Sequence, residues 1–244
     1  MAVDPAAPGS TSRCTALLLA AGSGDRLGLD APKAFVPLGE VTILERSLVV
    51  FASTPSIDSV VVVVPADRCE EAGRLADRVE PRPAVRAIVA GGATRQESVE
   101  RGLAAVPESA ALVVCHDAAR PFASPDLFAR VVAALGEGRD ADGAVPFVPS
   151  VDTVKRVRDG VVVETISRHE IGLAQTPQAF VAHVLREAHR RAAAAGLDAT
   201  DDAMLLEEAG FRVVAVEGEA TNFKITTAED LRRAQRLAAR FPLA

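Results

Sequence analysis

Five consecutive valines at residues 60–64 narrow the choice of fold more than any other feature of the chain. Successive side chains on a strand point to opposite faces, so an unbroken apolar run leaves neither face for water. Such a run fits a strand buried on both sides, as in a parallel sheet with helices above and below it. Apolar runs return at 15–20, 85–90, 112–115 and 143–148. Between them lie stretches with helical spacing: 42–52, where Ile43, Leu44, Leu48 and Phe51 share a face, then 66–79, 94–105 and 125–135. Thr94, with Glu97 three residues on, has the spacing of a helix cap. This alternation predicts an α/β architecture: a Rossmann-like, mostly parallel sheet with helices on both faces.

The rhythm breaks at Val151. Residues 151–157 and 161–166 alternate about Asp159-Gly160, a two-residue hairpin signal, and no helix intervenes. A protruding β-hairpin arm is expected over about 150–172, either an excursion of the sheet edge or an arm that reaches another subunit. Beyond it, 181–195 and 201–209 read as helices, 211–216 as a strand and 222–225 as a short extended piece. The last helix, to about residue 240, is capped by Thr227, with Asp230 in place of the usual Glu three residues on.

With 49% apolar and 25% charged residues the chain is globular in composition, and a net charge of −6 argues against nonspecific nucleic-acid binding. No apolar run approaches the roughly 18 residues of a membrane span, so neither nucleic acid nor membrane is expected as a partner. Cys14, Cys69 and Cys115 show no metal or redox spacing. Cys14 and Cys115 sit in apolar runs and read as buried, a usage that suits the reducing cytoplasm. Residues 1–13, rich in Pro, Gly, Ser and Thr, read as a disordered tail, leaving 14–244 as a single domain.

Chemistry is expected where apolar runs end in small residues. At 17–28 (L-L-L-A-A-G-S-G-D-R-L-G) the glycines let backbone N–H groups approach a ligand, and Arg26 and Lys33 supply positive charge suited to a polyphosphate. Leu29 follows Gly28, so the stretch is no P-loop; Gly22, Gly24 and Gly28 hold one residue too many for the dinucleotide fingerprint. Gly91-Gly92 and residues 116–120 also fall at strand ends, where open parallel sheets bind ligands. Asp117 would suit Mg²⁺ bridged to phosphate, or else a helix cap or an ion pair with Arg120. Arg120, before Pro121, suits a phosphate fork, whereas His116 reads as structural. The 91–98 segment, with Ser98, suits an anion or the polar edge of a base. Lys155, Arg156, Arg158 and Arg168 give the hairpin a basic face, for ligand or for solvent. Lys224, flanked by Phe223 and Ile225, would point outward by simple alternation.

These pieces, in order, resemble the 2-C-methyl-D-erythritol 4-phosphate cytidylyltransferase family. The resemblance covers nearly the whole chain after the tail, through P-K-A-F (32–35), G-G-A-T-R-Q-E-S-V (91–99), C-H-D-A-A-R-P-F (115–122), D-T-V-K (152–155), Q-T-P-Q-A-F (175–180), T-D-D (200–202) and N-F-K-I-T (222–226). It implies a Rossmann-like fold and a homodimer built by exchanging β-arms. It also implies Mg²⁺-dependent transfer of CMP from CTP to the methylerythritol phosphate, with loss of pyrophosphate. Arg26 and Lys33 would stabilise the transition state; Arg168 and Lys224 would position the substrate phosphate. Asp117 would contact the metal, and Arg120, Thr153 and Thr200 would line the substrate site, with Thr153 and Arg168 serving the partner's site. Ala20, Ala21, Gly22, Gly24, Gly92, Ala93, Ser98 and Ala118 would form the nucleotide pocket. Ala93 stands where relatives often carry Asp or Glu, so a side-chain contact to the base is lost or replaced there. Three other readings are a cytidylyltransferase for another polyol phosphate such as ribitol 5-phosphate, a nicotinamide-dependent Rossmann dehydrogenase, and a noncatalytic nucleotide-binding relative.

Overall fold

A computed structural model describes residues 13–24, 28, 31–136, 138 and 140–241. Strands β1 (Cys14–Leu19), β4 (Ser59–Val64), β5 (Val85–Ala90) and β6 (Leu112–Asp117) run parallel at the centre, with β5, β4, β1 and β6 adjacent in that order. Helices α1 (Ile43–Ala52), α2 (Cys69–Asp77), α3 (Arg95–Ala105) and α4 (Pro125–Ala133) connect them and lead on to β7 (Gly143–Pro149). A small hairpin of β2 (Pro37–Leu38) and β3 (Val41–Thr42) precedes α1.

The valine run is divided between two cores. Val60, Val62 and Val64 pack with Leu48, Phe51, Leu75 and Phe128 on one face; Val61 and Val63 pack with Leu17, Val99, Leu103 and Leu185 on the other. None of the five is more than 1% exposed. Full burial of each side chain contributes about 1.5–3 kcal/mol, which is why no polar residue interrupts the run. Cys14 and Cys115 are buried, as their neighbours predict.

The later chain departs from simple crossover order. Strands β10 (Gly172–Ala174) and β11 (Gln178–Val181), unforeseen from sequence, are antiparallel to β7, and β11 lies between β6 and β7. Four residues opening on Gln178 just after Pro177 are too few to register as a strand. Helices α5 (Ala182–Ala195) and α6 (Asp202–Glu208) follow, then β12 (Val213–Glu217), which pairs parallel with β7. Helix α7 (Ala228–Arg240) carries the predicted Thr227–Asp230 capping box.

Strands β8 (Val154–Arg158) and β9 (Val161–Ile166) form their own two-stranded sheet, with Asp159 and Gly160 both at positive φ in the turn. Val157, Val161, Val162 and Val163 are all more than half exposed, so apolar side chains of the hairpin lack cover in the single chain. Of the expected tail, residues 1–12 lie outside the described residues; the Arg13 carbonyl is held by the amides of Ala111 and Leu112. Among the described residues no helix is long and apolar enough to cross a membrane.

Candidate active site

The loops leaving β1, β5 and β6 converge on a cavity of about 520 Å³. Ala20, Ala21, Gly22, Gly24, Lys33, Gly92, Ala93, Ser98, Asp117, Ala118 and Lys224, all expected at the site, line it. Gly91 and Gly92 are both needed for this convergence. A Cβ on Gly91 would stand 2.4 Å from Ala21 Cβ, and one on Gly92 would stand 2.3 Å from Glu97 Cβ. The bare backbone lets the β1 loop and the start of α3 meet.

The groups at the head of α3 are turned partly inward. Ser98 Oγ accepts from the Gly92 amide at 3.0 Å and donates to the Thr94 carbonyl at 2.9 Å. Ser98 thus shapes the loop that lines the cavity. Thr94 caps α3 by accepting from the Glu97 amide. Glu97 departs from the expected box, since Oε2 accepts from the amide of Ala93 at 2.7 Å.

Asp117 closes β6, two residues later than the predicted strand end, because the polar pair His116-Asp117 finds its own partners. The Asp117 amide donates to Thr176 Oγ1, and the His116 ring lies within hydrogen-bond distance of Thr176 Oγ1 and the Arg120 carbonyl. Lys224 Nζ donates to Asp117 Oδ2 at 2.7 Å, and Arg95 Nε lies 3.4 Å from Oδ1. Burial alone would raise the Asp117 pKa; the charges of Arg95 and then Lys224 outweigh it and hold the carboxyl well below the usual range. Of the alternatives for Asp117, an ion pair with Arg120 is not what forms: its partners are these two cations. Lys224, for which alternation predicted an outward course, turns in to reach Asp117.

Lys33, in a single 3₁₀ turn, donates from Nζ to the Ile225 carbonyl at 2.8 Å. Both lysines therefore meet at residues 224–225. Asn222, fully buried, anchors that segment by donating to the Thr176 carbonyl at 2.8 Å, and the Ile225 amide donates to the Ala119 carbonyl. Phe223 stacks on Phe122 and lies beneath the Arg233 guanidinium. Arg120, expected at the substrate, donates to the carbonyls of Asn222 and Ala174.

Of the remaining expected residues, Thr153, Arg168 and Thr200 do not line this cavity. Arg26 lies outside the described residues. Thr153 is exposed at the foot of the hairpin. Arg168 donates to the Val151 carbonyl and lines a second cavity, of about 620 Å³, beside Asp201, Glu207 and β12. Thr200 is exposed just before α6. Sequence reasoning missed Arg95, although it sits inside G-G-A-T-R-Q-E-S-V, along with Thr176, Asp202 and His189, whose proximity comes only from folding.

A family model described as 2-C-methyl-D-erythritol 4-phosphate cytidylyltransferase matches residues 14–240. The chain belongs to this family. It is 45% identical over 222 residues to the 2-C-methyl-D-erythritol 4-phosphate cytidylyltransferase of Geobacter metallireducens, covering 88% of this chain and 93% of that protein. It is also 45% identical over 225 residues to the bifunctional enzyme IspD/IspF of Nitratidesulfovibrio vulgaris, covering 90% of this chain. There the match spans just over half of the relative, 56% of its length. Among solved structures, the 4-diphosphocytidyl-2C-methyl-D-erythritol synthase of Anaerococcus prevotii superposes with a TM-score of 0.83 at 30% identity, covering 95% of this chain and 100% of that one. The cytidylyltransferase of Thermus thermophilus gives 0.73 at 39% identity, covering 92% and 98%. Membership of the family sets aside the dehydrogenase alternative.

Proposed function

We propose that the protein transfers CMP from CTP to 2-C-methyl-D-erythritol 4-phosphate, releasing pyrophosphate and forming 4-diphosphocytidyl-2-C-methyl-D-erythritol, a step of non-mevalonate isoprenoid biosynthesis. The observation that carries this reading is the meeting of Lys33, Lys224 and Asp117 at one strand-end cavity in a chain of this family. A phosphate oxygen of the acceptor attacks the α-phosphorus and the bond to pyrophosphate breaks. That oxygen is already anionic, so no general base is required. Catalysis then consists of bringing two anions together and cancelling the charge on the α-phosphate and the departing pyrophosphate.

Lys33 and Arg26 take the triphosphate charge, and Lys224 takes the acceptor phosphate. The loops around Gly22, Gly24, Gly92 and Ala93 hold the nucleotide. The donor set also fits a hard divalent cation: Asp117 is a single ionised carboxylate on the cavity wall, and Mg²⁺ usually takes one or two carboxylates plus phosphate oxygens. Mg²⁺ held by Asp117 would supply further neutralisation of the triphosphate.

Arg168 and Thr153 are assigned to the site of a partner subunit, reached by exchanged hairpin arms in a homodimer. Arg168 lines a different cavity from Lys33 and Lys224 in the single chain, which supports this, as do the exposed valines of β8 and β9. The test is pyrophosphate release with each of four nucleoside triphosphates against methylerythritol phosphate and ribitol 5-phosphate, with Mg²⁺ or with excess chelator. Turnover should require CTP, methylerythritol phosphate and the metal. Preference for ribitol 5-phosphate would move the assignment to that polyol, and absence of turnover with every pair would refute the reaction.

A further inference from the structure

Arg95 has no part in the reaction as set out above, yet it lines the cavity and is held with unusual care. Its guanidinium lies between two carboxylates: Nη2 is 2.9 Å from Asp202 Oδ2, and Nε is 3.4 Å from Asp117 Oδ1. Asp202, only 1% exposed at the start of α6, has its other oxygen 3.1 Å from His189 Nε2 on α5. His189 is 4% exposed, and its Nδ1 lies 3.6 Å from Glu100 Oε1, back on α3. Neither Asp202 nor His189 lines the cavity, so both act from behind Arg95.

Two acids and two bases make up the inner cluster: Asp117, Asp202, Arg95 and Lys224. Their charges cancel while Lys224 stays on Asp117. Without Arg95, the turn of Lys224 to a substrate phosphate would leave Asp117 a buried carboxylate with no side-chain cation, an arrangement that is strongly unfavourable. Arg95 is placed to prevent this. Its planar fork can address two carboxylates at once, which a lysine ammonium does poorly. Asp202 fixes one end of the fork, leaving Nε directed at Asp117.

We infer that Arg95, clamped by Asp202 and His189, is the positioning residue for Asp117, keeping that carboxylate oriented and paired so that Lys224 can be released to the substrate. The inference rests on the proposed cytidylyl transfer and deepens it. A purely structural role for Arg95, neutralising buried Asp202, makes a different prediction.

The experiment compares the wild-type protein with Arg95→Lys, Arg95→Gln and the double variant Arg95→Gln/Asp202→Asn, reading melting temperature, kcat and CTP affinity by calorimetry. Arg95→Gln strands Asp202 and should lower both melting temperature and kcat. In the double variant the stranded charge is gone, so the melting temperature should return towards wild type while kcat stays at least about tenfold low. Arg95→Lys keeps the charge but loses the fork, and should lose about tenfold in kcat at nearly unchanged melting temperature. Recovery of kcat together with melting temperature in the double variant, or wild-type kcat in Arg95→Lys, would overturn the inference. If the wild-type protein itself releases no pyrophosphate, the reaction has failed, and CTP affinity then reads Arg95 separately. Binding about tenfold weaker in Arg95→Lys supports the positioning role, and unchanged binding overturns it.

Discussion

Acidification from pH 7 to pH 5 is expected to destabilise the fold by about 2 kcal/mol through His116 alone. The ring is 2% exposed and lies between Phe51 and Phe128, with Arg120 and Thr176 as its polar neighbours. Burial, only partly offset by Asp117, pushes its pKa from 6.5 down to about 4. Above pH 6.5 neither folded nor unfolded chain carries the proton. Between pH 6.5 and 4 the unfolded chain binds a proton that the folded chain refuses, so stability falls as pH falls. The gap between 6.5 and about 4, at about 1.4 kcal/mol per pH unit, gives a full loss on the order of 3 kcal/mol, of which about 2 is reached by pH 5. The depressed carboxylates Asp117, Asp202 and Glu45 contribute stability that is lost mainly below about pH 4.5, outside this window. Urea unfolding of the wild type and His116→Gln at pH 7 and pH 5 isolates the effect, because glutamine does not titrate. The wild type should lose about 2 kcal/mol more than the variant on acidification, and equal losses in the two proteins would refute the reasoning.

Lys33→Ala and Arg26→Ala should each lower kcat by on the order of 10²-fold in steady-state pyrophosphate release, as loss of an electrostatic stabiliser does; near-normal kcat in both would remove their assigned role. Gly91→Ala places a Cβ 2.4 Å from that of Ala21, and calorimetric melting should show destabilisation of about 1–3 kcal/mol from overpacking at the junction of two site loops. Sedimentation at micromolar concentration should find a dimer, and Val161→Lys with Val163→Lys should shift it towards monomer; a monomeric wild type would count against arm exchange.

The parts of the fold that were legible are those where neighbouring residues share one environment. The valine run, the Thr227 cap and the Asp159-Gly160 turn each declare themselves within a few positions, and each is found where the pattern placed it. Strand-end loops are legible for the same reason: a buried strand that ends in glycine must place that glycine at the sheet's edge. Strand β11 escaped because its burial is set by β6 and β7, distant in sequence, and its own four residues carry no period. Asp117 was recognised as a buried carboxylate in need of a partner, yet the one side chain that local sequence offered, beside a metal or a helix cap, was Arg120, three residues away. The actual partners are Arg95 and Lys224, 22 and 107 positions distant.

Arg120 shows why proximity in sequence misleads at such a site. Residues 222–225 belong to none of the described strands, so their backbone groups need donors and acceptors from elsewhere. The Asn222 carbonyl takes Arg120 and Gln175, the Ile225 carbonyl takes Lys33, and the Ile225 amide finds the Ala119 carbonyl. Arg120 thereby holds the segment that carries Lys224. The placement of the Lys224 ammonium, which the proposed reaction uses, therefore depends on side chains drawn from the β1 loop, the β6 loop and the residues before β11. A change at Gln175 should reach the proposed chemistry through Lys224 alone, whereas Lys33 also meets the triphosphate in the proposed reaction.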